Sequence, residues 1–425
     1  MQAAPRTGEP WRLPFWPSPG CRRPATWENS VLSKLNPNVA AMKCLQCGQL
    51  YPLNDYFEGC PLCLQSGTPA SVVPHFADFP TELHHGNFGE WMSYGCPSGL
   101  GEGNTPLSSL PRLAATLGIE ALYAKNEFAN PTGSHKDRMS AIVAQRALDI
   151  RAKTIAVASS GNAGVSMAAY AARAGIDCVV VTTPDMSQNW RRAIEMHGAR
   201  IIAMESSDDR WVLIARHARR GDWYPATNYL MPPVGSNPFG VDGYRAIALE
   251  LYLQFPAVPP TDILVPTARG DLLWGIAKGY QDLRNTGLIS VTPRVHAVEP
   301  FPRIGRAREG HGMVCSNFSG DTAMVSIGGN TVTFQSLLAL ELTDASGVAV
   351  NDQEASHDRL LLAKEGLYVE LSSAAAVSGL RKLVAQGKIG ARSRVVMIAT
   401  SHGYKEQSEP EFSGQLISTP LMHEG

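Results

Sequence analysis

The sequence predicts an α/β protein built on parallel sheets, and three observations carry that prediction. Short apolar runs suited to fully buried strands recur along the chain. Between them lie stretches suited to packed helices. The runs end in loops rich in small and polar residues, where an open parallel sheet places its ligands. At 425 residues the chain has room for two or three domains and a large core.

The elements follow in order. Residues 1–41 are rich in Pro, Arg and Trp and lack periodicity, which predicts a poorly ordered arm. Residues 42–68 carry Cys44-Leu45-Gln46-Cys47 and Cys60-Pro61-Leu62-Cys63. Each pair can present two thiolates to one tetrahedral ion, so the segment reads as zinc-ribbon-like, with Cys44, Cys47, Cys60 and Cys63 as ligands. Four protein ligands leave no open position, so such a zinc would be structural. An apo hairpin that kept its cysteines, or a redox pair, is the alternative. Gly101 to Leu107 is a loop, and Leu122 to Lys125 a short strand.

After the strand comes Asn130-Pro131-Thr132-Gly133-Ser134-His135-Lys136-Asp137-Arg138, and then a run suited to a helix. Lys136 therefore sits at a helix N-terminus. The positive end of the helix dipole disfavours an ammonium there and favours the free amine that forms imines. Strands at 154–158, 178–182 and 200–203 alternate with helices at 165–174 and 189–197. Further strands are expected at 262–266, 295–298 and 395–399, with helices after the first of them, at 360–365 and at 372–384. Residues 411–425 read as a tail.

Three loops at strand ends can carry chemistry. Ser159-Ser160-Gly161-Asn162 offers backbone N–H groups and hydroxyls to a carboxylate at a helix N-terminus. Thr267-Ala268-Arg269-Gly270-Asp271 suits a phosphate, although Asp271 brings the wrong charge. Thr400 offers a hydroxyl to a ring nitrogen. Taken singly, each also reads as an ordinary cap or turn.

Their order along the chain resembles the fold-type II pyridoxal-phosphate (PLP) enzymes, and most closely the threonine synthase family. The resemblance runs from Cys44 to about Lys405. It includes Gly101 to Leu107, Asn126-Glu127, Asn130 to Arg138, Ser159 to Asn162, Ala277 to Tyr280 and Glu365 to Ala375. It implies a PLP-dependent lyase with two parallel-sheet domains, like the tryptophan synthase β-chain. The smaller domain would span 136–228, and the larger 69–135 with 229–410. It implies Lys136 as Schiff-base lysine, Asn162 at the cofactor's 3-oxygen and Thr400 at the pyridine nitrogen. His135, Thr267, Ala268, Arg269 and Gly270 would complete the cofactor contacts. Ser159, Ser160 and Asn237 would hold a small amino-acid substrate. A homodimer is also implied.

Three positions depart from the family pattern. Ala268 to Asp271 replace a glycine-rich phosphate loop. Gly240 stands where the family's Asn-Pro-x-Arg motif has its arginine, and Arg245 or Arg269 could substitute in holding a substrate phosphate. His135 stands where phenylalanine is usual. The expected reaction is β- or γ-elimination or replacement on an activated amino acid, O-phosphohomoserine to threonine among them. Phosphoserine, an acylserine or another amino acid is the alternative donor, and the non-catalytic alternative is a degenerate paralogue that binds the cofactor weakly or not at all and serves as a binding module. A net charge of −1 gives no basis for expecting nucleic-acid or membrane partners. The scattered remaining cysteines and the lack of a signal-peptide pattern lead us to expect a cytoplasmic protein.

Overall fold

A computed structural model describes residues 34–95, 99–309, 318 and 320–406. Most of the expected N-terminal arm (1–33) and the whole expected tail (411–425) lie outside the described residues. The described residues fall in one compact unit.

The chain opens with a three-stranded antiparallel sheet of β1 (Val39–Cys44), β2 (Leu50–Tyr51) and β3 (Val72–Phe76), ordered β2-β1-β3. It then contributes β4 (Leu107–Ser109) and β5 (Ala121–Lys125) to a larger sheet. Next it builds a four-stranded sheet from β6 (Thr154–Ala158), β7 (Asp177–Thr182), β8 (Arg200–Ala203) and β9 (Tyr224–Pro225). Finally it returns to the larger sheet with β10 (Asp262–Pro266), β11 (Arg294–Glu299), β12 (Gly347–Ala349) and β13 (Arg394–Ile398). The strand orders are β12-β11-β10-β13-β5-β4 and β8-β7-β6-β9. Every pairing in these two sheets is parallel except β4 with β5.

The apolar runs explain the topology. All five residues of β10 are buried, as befits a central parallel strand covered on both faces. In β7 only Asp177 at the entry is exposed. The expected strands lie within a residue or so of those observed. Two helices are longer than their apolar content suggested. One runs Asp352–Lys364 and starts at an Asn351/Glu354 capping box rather than at Leu360. The other starts at Asn162, directly after Gly161, rather than at Val165.

The lysine helix spans Lys136–Asp149 and is buried along most of its length. Both of its ends are tied down by charge. In the first turn, Arg138 makes two-pronged contacts with Glu127 (2.6 and 2.7 Å) and Glu250 (2.7 and 2.9 Å). Lys125 Nζ donates to the same Glu250 at 2.6 Å. Burial works against ionising Glu250, but Arg138 and Lys125 hold its carboxyl down at about 2. Near the other end, Arg146 pairs with Asp55 at 2.9 Å, which anchors the cysteine-bearing segment to this helix.

Removing Arg138 would leave two buried carboxylates short of their partner. Arg138→Met is expected to cost about 3–5 kcal/mol of unfolding free energy, read as a lower urea midpoint. An unchanged midpoint would show that the clamp is not holding the helix.

Candidate active site

A cleft of about 770 Å³ opens where strands of the two parallel sheets end. Its walls are the loops after β6, β10 and β13, the start of the lysine helix, the loops after β7 and β8, and residues 325–330. Strand ends of this kind are where open α/β sheets bind ligands.

Lys136 is the first residue of its helix and lies on the cleft lining. Its Nζ is 3.5 Å from the Tyr244 hydroxyl. Burial lowers the ammonium to about 8, with Asp271 opposing the shift and Arg269 adding to it. The free amine is thus reached near neutrality, as the sequence suggested, but the leading cause is burial and not the helix dipole. His135 packs beside the Tyr244 ring, and its Nδ1 lies 3.3 Å from the Thr400 carbonyl. Burial, then the charge of Lys136, push it well below the usual histidine range, so its ring is neutral.

A buried carboxylate organises the wall that holds Asn162 and Thr400. Glu370 accepts from Asn162 Nδ2 (3.0 Å), Thr400 Oγ1 (3.0 Å) and Ser326 Oγ (3.1 Å). Burial raises its pKa above the ordinary glutamate value. The Thr400 hydroxyl also shares a 2.6 Å bond with Ser373. Glu370 therefore joins the two residues expected at the cofactor's 3-oxygen and ring nitrogen. Sequence reading placed it only inside a family motif and gave it no role. A glutamate just before a run of small helical residues was the available hint.

The loop after β6 divides its labour. Ser159 Oγ accepts from the N–H groups of Gly161 (3.1 Å) and Gly164 (3.0 Å), so its side chain acts as a helix cap. Ser160 is held by Thr182, at 2.9 Å, and by Arg210 Nη1, at 3.1 Å. Arg210 comes from the start of the Ser207–Arg219 helix and lines the cleft, and sequence reading missed it. Burial, and then Arg269, lower its pKa.

In the loop after β10, the Thr267 hydroxyl is spent on the Val265 carbonyl at 2.6 Å. Ala268 and Arg269 line the cleft, and the Arg269 guanidinium lies over the Trp211 ring. Gly270 has φ 93°, and a side chain there would strike Ser336, so only glycine fits. Asp271 is turned to bond Ser236 and Gln335. That removes part of the conflict its charge would pose to a phosphate.

Two expectations need correction. Asn237 is absent from the cleft lining. Its side chain accepts from Gly240 N (3.0 Å) and donates to Pro225 O (3.1 Å), capping the Pro238–Asp242 helix. Arg245 is also unavailable to a substrate. It is buried against Asp242 (2.7 Å) and Asp282 (2.9 Å), with its guanidinium over Phe76. Gly240 faces the lysine helix. A Cβ there would lie 2.5 Å from Val143 and 2.9 Å from Met139, so this packing excludes an arginine.

The Sγ atoms of Cys44, Cys47, Cys60 and Cys63 lie within 4.8 Å of one another. Cys44–Cys63 and Cys47–Cys60 are separated by 3.6 and 3.7 Å. Four thiolates about 2.3 Å from one tetrahedral zinc would sit about 3.8 Å apart, so the arrangement fits such an ion.

The family model for pyridoxal-phosphate-dependent enzymes matches residues 99–401. The threonine synthase of Bacillus sp. (strain ULM1) is 31% identical over 320 residues, covering 75% of this chain and 87% of that protein. The chain belongs to the threonine synthase family of PLP-dependent enzymes. The threonine synthase of Methanocaldococcus jannaschii is 29% identical over 386 residues, 86% of this chain and 92% of its own. Among solved structures, a fungal L-serine ammonia-lyase from Rhizomucor miehei matches with a TM-score of 0.60 at 22% identity. It covers 70% of this chain and 93% of its own. That likeness shows the shared fold-type II architecture. The chain is accordingly a PLP-dependent lyase of this family. Among the described residues no helix is long and apolar enough to cross a membrane.

The residues present fit the cofactor. A lysine whose ammonium is lowered to about 8, Asn162, the Thr400 hydroxyl and an arginine-bearing loop line one cleft. Amine-directed labelling of the apoenzyme, followed residue by residue by mass spectrometry, is expected to reach half its maximal rate at Lys136 near pH 8. Exposed lysines should need about two pH units more. A Lys136 profile matching the exposed lysines would contradict the burial argument.

Proposed function

We propose that this enzyme eliminates or replaces an anionic leaving group at the β or γ carbon of an activated amino acid, with O-phosphohomoserine to threonine as the first candidate reaction. The observation that carries this reading is the layout of the cleft. The lysine, the Asn162–Glu370–Thr400 network and two arginines, Arg210 and Arg269, line one cleft.

When bound, PLP supplies the electron sink that makes the substrate's Cα proton acidic. Lys136 would carry the imine linkage to the cofactor. Once displaced by substrate, its Nζ is a free amine that takes the Cα proton and finally returns one to Cα; for a γ leaving group it also carries a proton from the β carbon to the γ carbon that phosphate has left. Asn162 Nδ2 would donate to the cofactor's 3-oxygen. The Thr400 hydroxyl would face the ring nitrogen and, unlike a carboxylate, leave it largely unprotonated. The N-terminus of the Asn162–Ala174 helix, with the Ser160 loop, would receive the substrate carboxylate. Arg210 would hold the departing anion, and burial strengthens that contact. For phosphohomoserine, water adds to the carbon chain and inorganic phosphate leaves.

The glycine at position 240, walled in by Met139 and Val143, favours a second reading. The family's arginine cannot stand there, so a shorter donor such as phosphoserine would reach Arg210 differently. Purified enzyme should be assayed for threonine and phosphate release from O-phosphohomoserine, with phosphoserine and O-acetylserine alongside. Faster turnover of O-acetylserine, whose ester is uncharged until acetate departs, would sink the assignment to a phosphorylated donor. Arg210→Met is expected to raise KM for phosphorylated donors about tenfold or more, while acetylserine kinetics change little. Lys136→Ala should abolish turnover of every donor.

We also propose that the four cysteines bind one structural zinc. Metal analysis of the native protein should find about one zinc per chain, and Cys60→Ser should lower both zinc content and melting temperature. A full complement of free thiols in metal-free, fully stable protein would refute it.

A further inference from the structure

Arg303 has no place in the roles assigned so far, and its environment is unusual. It is wholly buried, follows β11 and stands behind two loops that line the cleft. Its Nη2 donates to the Thr267 carbonyl (2.8 Å) and the Ile327 carbonyl (3.3 Å), and its Nε lies 3.2 Å from Glu299. Its Nη1 is buried without a partner among the described residues, and so is Nε of Arg269. An unpaired guanidinium N–H in a protein interior is costly and calls for an acceptor.

Gly329 marks where the two guanidiniums converge. A Cβ built on it would lie 3.6 Å from Arg303 Nη1, 3.9 Å from Ala268 Cβ and 4.0 Å from Arg269 Nη1. Gly329, Ala268 and Arg269 all line the cleft. Burial lowers the pKa of both arginines, and Arg269 lowers Arg303 further. Two like charges are thus gathered beside the strand-end loop from which the Asp271–Asn285 helix begins. A dianion placed there would relieve their repulsion and receive the spare donors.

We propose that Arg303 and Arg269 together form a guanidinium clamp for the phosphate monoester of the cofactor, in place of the glycine-rich loop that this chain lacks. Arg303 acts from behind the loop, holding the Thr267 and Ile327 carbonyls while presenting Nη1 through the gap that Gly329 leaves open. Gly329 is then required for space, since its φ is not in the left-handed region.

The test compares PLP with pyridoxal, which lacks the phosphate, in titrations of the full-length apoenzyme. Arg303→Met is expected to raise the PLP Kd about tenfold or more and the pyridoxal Kd far less, with Arg303→Lys recovering part of the loss. Gly329→Ala keeps the fold, because its methyl meets only ordinary contacts, yet fills the gap. It should raise the same ratio and decides the matter if Arg303→Met does not fold. In ³¹P NMR the bound phosphate of the native enzyme should remain dianionic below its free pKa of about 6, and in the Gly329→Ala variant it should titrate closer to that value. Equal losses for PLP and pyridoxal would reduce Arg303 to a latch between loops. An unchanged PLP Kd with weaker binding of phosphoserine would assign the clamp to the substrate's phosphate. Either result overturns the proposal.

Discussion

The active-site geometry depends on a buried, charge-balanced cluster of Lys125, Glu127, Arg138 and Glu250. Two cations face two anions, so the group carries no net charge into the interior. Its remaining acceptor sites are filled by Thr105, Asn104 and Asn130. Arg138 lies two residues beyond Lys136 in the same helical turn. The cluster thus joins the end of β5, the loop before the lysine helix, the helix itself and the Arg245–Gln254 helix. Burial of this kind is weak evidence for stability as such, because replacing the whole set by apolar groups can be neutral. Its consequence is positional. The first turn cannot rotate or slide without exposing a charge, and Lys136 is fixed with it.

Around that fixed amine the cleft has two electrostatic characters. The wall of Asn162, Glu370 and Thr400 is a closed hydrogen-bond network whose carboxyl is biased towards its neutral form by burial. Such a wall suits a heteroaromatic ring that must not gain a full charge at its nitrogen. The cleft also gathers Arg210, Arg269 and, behind its loop, Arg303. Cations brought this close repel one another; Asp185, Asp208, Asp271 and Glu299 offset part of that cost, and an anion supplied by a ligand would offset more. A cofactor phosphate and an anionic leaving group are two such anions, and the arginines stand in two places, at the loop after β10 and beside Ser160.

Much of the fold was legible in the sequence, because parallel strands covered by helices are short apolar runs, and seven parallel strands were found that way, although Arg200–Ala203 is not buried. The residues at strand ends were legible for the same reason: a polar loop after an apolar run has few roles. Glu370, Arg210 and Arg303 were not, because each draws its meaning from residues far away in the chain. Arg303 in particular follows Pro300-Phe301-Pro302 and has no local pattern that separates it from a surface arginine. The free amine of Lys136 was expected on the strength of its helix position, yet burial dominates, and burial is a tertiary property. Asn237 and Gly240 show the converse error. Both sit in a family motif, but here the motif's asparagine is a helix cap and its fourth position packs into the lysine helix.

That packing also ties the cysteine-bearing segment to the chemistry. The side of the Pro238–Asp242 helix that excludes an arginine at position 240 meets the lysine helix at Met139 and Val143. Further along, the Phe239 ring lies under the Arg146 guanidinium, which is paired with Asp55 from the loop between the two cysteine pairs. Tyr224 donates to the same Asp55, so the final strand of the smaller sheet joins the contact. The lysine helix is therefore held at its first turn by Arg138 and near its last by Asp55. A structural metal in the cysteine segment would act on catalysis through the second of these, by fixing where Asp55 stands. The position of Lys136 is then set by two charge contacts at opposite ends of one helix, and its reactivity by the burial those contacts enforce.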